Sequence, residues 1–124
     1  MLIALGNLDA ELPPSVYKER QEKAPEALVI KVRSVTKREW TESKWRQTDF
    51  TMIAEVQKVE RSATGLTPGA TITIRYSRRD YSPRSAGPSQ VPSLTEGEIP
   101  PAYLSKDGRA YVPAADGYSF ETVR

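Results

Sequence analysis

Hydrophobic and polar residues alternate along three segments of the chain, and this period of two predicts β-strands. In residues 27–35 the pattern places Leu28, Ile30 and Val32 on one face, and Lys31 and Arg33 on the other. Residues 50–59 and 71–76 repeat the pattern, the latter as Thr-Ile-Thr-Ile-Arg-Tyr. A strand of this kind has one buried and one wet face. We therefore expect three consecutive antiparallel strands around a shared core.

The segments that follow these strands have a different character. Residues 37–48 hold both tryptophans among charged residues and are predicted to form an irregular hairpin connection. Val59 interrupts the alternation of its strand, which predicts a bulge or bend. Residues 77–99 have no periodicity and are rich in Pro and Ser, so they are predicted to be one long loop.

The C-terminal part of the chain predicts a hairpin and a last edge strand. Asp107-Gly108 lies between two short apolar segments, and both residue types tolerate a positive φ, as a two-residue hairpin turn requires. Residues 118–121 alternate weakly and are predicted as the edge strand. Five or six strands in so short a chain favour closure, because closure removes exposed sheet edges.

A short helix is predicted near the N-terminus, over residues 16–24. Ser15 can cap its first turn, Glu19 and Lys23 form an i,i+4 pair, and Pro25 stops it. The predicted fold class is therefore all-β: a small five- or six-stranded OB-like barrel with a short N-terminal helix and one long Pro/Ser-rich loop. Residues 1–26 form an N-terminal strap and helix, and residues 27–124 form the barrel domain.

The order of these elements resembles the netrin-like module of the tissue inhibitors of metalloproteinases. The resemblance is carried by the basic-faced first strand, the Gly-Leu-Thr-Pro-Gly turn at 65–69, the Thr-Ile-Thr-Ile strand, and Leu94 with Gly97 shortly before Tyr103-Leu104. It implies an OB-fold, a binding role and an extracytoplasmic (secreted or periplasmic) location. The disulfides and the zinc-ligating N-terminal cysteine of that family are not implied, because this chain has no cysteine.

Composition argues against most enzymes. The 124 residues include no histidine and no cysteine, which removes the usual proton shuttle, thiol nucleophile and transition-metal ligands. No nucleotide fingerprint is present, and Glu96 and Glu98 lack the spacing of a calcium loop. We therefore predict no catalytic residue, no metal, no cofactor and no enzymatic activity. No apolar stretch approaches the ~20 residues of a membrane span.

Recognition of an unidentified protein partner is the leading functional prediction. Loops on a rigid barrel carry recognition, and Trp with Arg is favoured at interfaces. The predicted partner-binding residues are Trp40, Trp45, Tyr81 and Arg84, although packing of at least one tryptophan in the core is also expected.

The alternative is binding of single-stranded nucleic acid. The chain is near neutral, at +2, but residues 31–46 carry six basic and two acidic side chains. If the first and third strands are adjacent, their cations share an outer face on which phosphates could lie while rings stack bases. Nucleic acid is less favoured because the total charge is small. The predicted anion-binding residues are Lys31, Arg33, Arg75, Arg78 and Arg79.

Overall fold

The described residues form, in chain order, a helix, five strands and a short 3-10 turn. The computed structural model describes residues 12–42, 45–81, 91 and 93–123. Within these residues, the elements are α1 (Pro14–Lys23), β1 (Glu26–Glu42), β2 (Trp45–Ser62), β3 (Thr71–Tyr81), β4 (Pro101–Asp107), β5 (Ala110–Pro113) and a 3-10 turn (Asp116–Tyr118). The chain is thus mostly β, as predicted.

The five strands form one sheet that closes on itself in a ring, in the order β1-β2-β3-β5-β4. Neighbouring strands are antiparallel except β3 and β5, which pair in parallel where Ile74 faces Tyr111. The prediction that the first three strands are consecutive antiparallel neighbours is confirmed.

The core fills the ring. Ile30, Met52 and Ile74, one from each of the first three strands, are completely buried, which confirms the faces read from the alternation. β4 adds Leu104, also completely buried. Burial of such side chains contributes roughly 1.5–3 kcal/mol each. The ring is therefore the stable part of the molecule.

Bulges bend the β1–β2 pair where the ring curves. Gln57 and Glu60 of β2 have no partner in the register, and they flank Val59, so the predicted bulge is confirmed. Arg33 of β1 is skipped in the same way. Each extra residue increases the local twist of a strand, which helps a sheet to curve into a ring.

Both ends of the predicted 77–99 loop belong to the sheet or the core, so its bounds are wrong. β3 continues to Tyr81. Val91 and Leu94 are buried in the core. Further on, the amide of Val32 donates to the carbonyl of Glu98 at 2.9 Å. The carbonyl of Val32 in turn accepts a hydrogen bond from the amide of Gly97 at 2.8 Å. Through these bonds, the segment before β4 continues the pairing of β4 with the edge of β1.

The predicted irregular connection at 37–48 is also wrong. β1 and β2 stay paired up to Glu42 and Trp45, and β3 follows β2 as far as Tyr81. We call this extension, residues 37–42, 45–49 and 77–81, the ribbon. The error has a physical reason: apart from the two tryptophans the ribbon is polar on both faces, so no hydrophobic alternation marks it, while the ladder of backbone hydrogen bonds keeps it extended.

The C-terminal predictions need two corrections. The β4–β5 hairpin exists, but its two loop residues are Gly108 and Arg109, one position later than predicted. Gly108 takes the positive φ, 66°, and Asp107 pairs with Ala110. Residues 118–121 are not a strand, because the chain turns at Asp116–Tyr118 and the amide of Ala115 donates to the Ser119 hydroxyl at 2.9 Å.

Helix α1 begins at Pro14, so the prediction of Ser15 as N-cap is wrong. Pro13 holds the cap position, and a proline in the first turn needs no hydrogen-bond acceptor for its nitrogen. The prediction that the helix ends before Pro25 is confirmed, since the backbone of Ala24 is extended. The predicted pair of Glu19 with Lys23 is confirmed at 3.3 Å.

The helix is attached to the rest of the domain by its buried face. Tyr17 packs on Tyr118 with ring centres 4.6 Å apart. The amide of Gln21 donates to the carbonyls of Tyr118 and Glu121 at 2.8 and 2.7 Å. The Arg61 guanidinium donates to two carbonyls at the helix C-terminus, both at 2.9 Å. These bonds stabilise a helix too short to persist alone.

Candidate functional site

The candidate site is the outer face of the ribbon, the face opposite the one that continues into the core. Because side chains alternate along a strand, Trp45, Gln47 and Asp49 of β2 lie on this face while the intervening residues lie on the other. In the register, Trp40 of β1 and Arg79 of β3 flank Gln47. The face thus collects residues that are far apart in the sequence.

Both tryptophans lie on the outer face. Trp40 is 37% exposed and Trp45 is half-buried. They are diagonal neighbours across the β1–β2 pair, within reach of one another. Neither belongs to the buried core, so the expectation that at least one packs there is wrong. The core is closed below them by Phe50 and Tyr76, whose rings stack at 4.7 Å.

An arginine lies over each tryptophan. The guanidinium carbon of Arg38 is 5.5 Å from the centre of the Trp40 ring, and that of Arg79 is 4.4 Å from the Trp45 ring. A cation over an indole face contributes about 0.5–1 kcal/mol at an exposed site. The two Trp–Arg pairs therefore hold large side chains in place on an open surface.

A chain of hydrogen bonds connects the second Trp–Arg pair to a carboxylate. The Arg79 Nε donates to the Gln47 Oε1 at 3.1 Å, and the Gln47 Nε2 donates to the Asp49 Oδ1 at 2.8 Å. The Ser77 hydroxyl donates to the same oxygen at 2.6 Å. The bond from Ser77 and then that from Gln47 lower the pKa of Asp49, helped by Arg38 and opposed by burial. Asp49 is therefore charged at neutral pH.

A groove runs beside these residues towards β5. Its cavity, about 500 Å³, is lined by Arg38, Arg75 and Asp49 of the outer face and by the inner-face Lys37, so its lining holds three cations and one carboxylate. A second cavity of about 310 Å³ shares Arg75 with it and reaches the β4–β5 hairpin. Both volumes lie within the 300–1,000 Å³ range of ligand pockets.

The five predicted anion-binding residues do not form one site. β2 lies between β1 and β3, so the first and third strands are not adjacent. Its Glu55 faces Lys31 in the register and forms an ion pair with Arg33. Arg75 and Arg79 lie on the outer face of β3, whereas Arg78 lies on the opposite face. Of the five, only the two outer-face arginines of β3 lie at the candidate site.

The other predicted partner-binding residues are described only in part. The backbone of Tyr81 ends β3 opposite Trp45, but its side chain lies outside the described part of the chain. Arg84 lies outside the described residues. Sequence reasoning missed Arg38, Gln47 and Asp49. The period-two spacing from Trp45 to Asp49 was the available signal.

Neither metal chemistry nor a membrane helix emerges from the described residues. No group of three carboxylates there lies close enough to hold a metal ion. Glu98 is engaged locally, because its Oε2 accepts hydrogen bonds from the amide and hydroxyl of Thr95. No helix in this part of the chain is long and apolar enough to cross a membrane.

Comparisons of the chain with protein-family models, curated proteins and solved structures find no match in any of the three. The resemblance to netrin-like modules therefore stays a prediction.

Proposed function

We propose that this chain is a non-enzymatic binding module that recognises a protein partner through the outer face of the ribbon. One observation carries the proposal: Trp40 and Trp45 share an exposed face, each under an arginine. Tryptophan and arginine dominate the residues on which protein–protein affinity depends. Such side chains on the surface of a domain with a complete core are better explained by binding than by folding.

We also propose that the ring of strands is an OB-like barrel. The strand order β1-β2-β3-β5-β4, with the parallel pair between β3 and β5, supports this assignment. On such a scaffold the ribbon extends the first three strands beyond the closed part.

The charges of the outer face favour a protein over a polyanion. Arg79 is connected to the ionised Asp49 through Gln47, and Arg38 faces Asp49 in the register, so the face presents both signs of charge. Mixed charges select a partner with a complementary pattern. Because the contacts already fix these side chains, binding loses less conformational entropy.

The test compares binding with stability in Trp45→Ala. A partner is isolated from the native source with the wild-type chain, and its affinity is measured for each variant. Trp45→Ala should weaken binding by about 2 kcal/mol, the size of an interface hot spot. Its unfolding free energy should fall by less than about 1 kcal/mol, because its contact with the exposed Arg79 is a cation–π pair at the surface.

Tyr103→Ala is the matched control, since Tyr103 is a half-buried aromatic residue on β4, outside the ribbon. It should leave the affinity unchanged. Equal loss of binding and stability in Trp45→Ala would reduce the tryptophan to a structural role and overturn the proposal.

A second candidate is binding of single-stranded nucleic acid, favoured by the groove whose lining holds three cations and one carboxylate. Cations that follow phosphates beside rings that stack bases are the usual features of such a surface. Titration of an oligonucleotide at several salt concentrations separates the candidates. A steep loss of affinity with salt supports nucleic acid, and no binding at low salt removes it.

A further inference from the structure

A small pocket lies on the inner face of the ribbon, opposite the tryptophans, where the ribbon leaves the ring. Each of the three strands contributes one cation to its wall: Lys37 from β1, Arg46 from β2 and Arg78 from β3. These residues are distant in the sequence, and the pairing of the strands brings them together.

The pocket carries a net positive charge. Glu39 is the one carboxylate among the described lining residues, and Lys37 and Arg46 alone outnumber it. Within the described part of the chain, neither Lys37 nor Arg46 forms an ion pair with another side chain. The Lys37 ammonium lies 5.7 Å from the centre of the ring of Phe50, another residue that lines the pocket.

Hydroxyl groups complete the lining. Thr48 is buried on β2 at the register position between Glu39 and Arg78, and Ser93, which precedes β4 in the chain, also lines the pocket. Hydroxyls can donate to an anion whose charge the lysine and arginines balance. Donors therefore come from four separate segments.

The size of the pocket limits what it can hold. Its volume is about 150 Å³, room for roughly five water molecules at ~30 Å³ each. That is smaller than the cavities that enclose a whole drug-sized ligand, but it is enough for one tetrahedral oxyanion. A phosphate monoester carries about −1.5 to −2 charges at pH 7, so its attraction to these cations exceeds that of a singly charged anion.

From this geometry we propose that the inner-face pocket binds the phosphate group of a monoester. Arginine forks and a lysine ammonium are the groups that proteins use for phosphate oxygens. The site is on the opposite side of the sheet from the tryptophans, so it does not depend on the proposed protein-binding function, and either can fail alone.

Isothermal titration of the full chain with inorganic phosphate at low ionic strength tests the proposal. Saturable binding at one site is expected. Arg46→Gln should weaken it by roughly tenfold or more, the usual effect of losing a charge-assisted hydrogen bond. Arg46→Lys should recover only part of the loss, because lysine lacks the fork. Thermal unfolding of each variant verifies that it is folded.

Two further variants separate a site from general charge. Lys31→Gln changes the net charge equally but lies on the outer face of the ring, so it should leave phosphate binding unchanged. Glu39→Gln removes the one opposing carboxylate and should tighten binding, a gain that misfolding cannot produce. Equal weakening by Arg46→Gln and Lys31→Gln, or no effect of Glu39→Gln, would overturn the proposal.

The source of the phosphate is tested with two probes. A phosphoserine peptide, compared with its unphosphorylated form, should compete with inorganic phosphate. An oligonucleotide without terminal phosphates should not, because each of its diesters carries a single charge. Competition by that oligonucleotide alone would assign the pocket to nucleic acid and overturn the monoester proposal.

Discussion

The same two strands form two different structures along their length. Inside the ring, β1 and β2 bury every second side chain, with Val32 and Ala54 completely inaccessible to solvent. In the ribbon, the same strands carry polar residues on both faces and pair only with each other and β3. The ring is stabilised by burial, and the ribbon by backbone hydrogen bonds and side-chain contacts at its surface.

The difference shows where this protein can devote residues to recognition. A small ribbon without a hydrophobic face is marginal in isolation, so the stability of the ribbon depends on the ring. Conversely, the core of the ring does not need the ribbon side chains from Arg38 to Trp40 to fill it. The comparison therefore predicts that substitutions in the ring affect stability and those in the ribbon affect binding.

The largest expected effect is that of Ile74→Ala, at the centre of the ring. The residue is completely buried, so its truncation should lower the unfolding free energy by about 2–5 kcal/mol. Chemical denaturation measures the change. Ile53→Ala is the matched control, because Ile53 is half-buried on the outer face of β2 and should cost much less. A similar loss in both variants would break the distinction between the two faces.

Glu26→Ala should have the next largest effect. The carboxylate is fully buried and accepts hydrogen bonds from the Ser62 hydroxyl and from the amide and hydroxyl of Thr64. Leaving these donors without an acceptor costs about 1–3 kcal/mol. Denaturation of Glu60→Ala, which removes an exposed carboxylate of the neighbouring strand β2, should show little change. A neutral Glu26→Ala would show that water replaces the carboxylate.

We expect the ionisation of Tyr76 to affect folding stability only at alkaline pH. Burial raises the pKa of Tyr76 to about 12 from its ordinary value of 10, partly opposed by the charge of Arg78. The contribution of the protonated Tyr76 to folding stability is therefore complete below pH 10 and is lost as the pH rises towards 12. Between these values the stability of Tyr76→Phe should fall less steeply than that of the wild type. Parallel denaturation curves across that range would contradict this assignment.

The smallest expected effect concerns Asp49 on the ribbon. Its lowered pKa means that its contribution to stability is present above pH 3.8 and is lost as the pH falls through the lower folded-state value. Ser77→Ala removes the hydrogen bond that lowers the pKa of Asp49 most. This pKa should therefore move up towards 3.8, as measured by NMR titration of the carboxyl carbon. The change in stability should be small, because water screens a surface carboxylate. An unchanged pKa would show that the Ser77 bond is absent in solution.

The candidate site was only partly predictable from the sequence. Trp40 and Trp45 stand out by residue type in a charged segment. Their shared face depends on the hairpin register that places Trp40 opposite Gln47. Arg79 reaches Trp45 only because β3 continues past Tyr76, and no hydrophobic alternation marks that continuation.

The amino-acid pattern by itself determined the three core strands, their inward faces, the bulge near Val59 and the end of the helix at Pro25. These features depend on the spacing of apolar residues and on the backbone restriction of proline, both of which are local. Tertiary structure alone decided the length of the ribbon, the loop residues at Gly108 and the joining of three strands' cations in one pocket. Polar strands leave no periodic mark, and which polar side chains meet is set by pairing between segments distant in the chain.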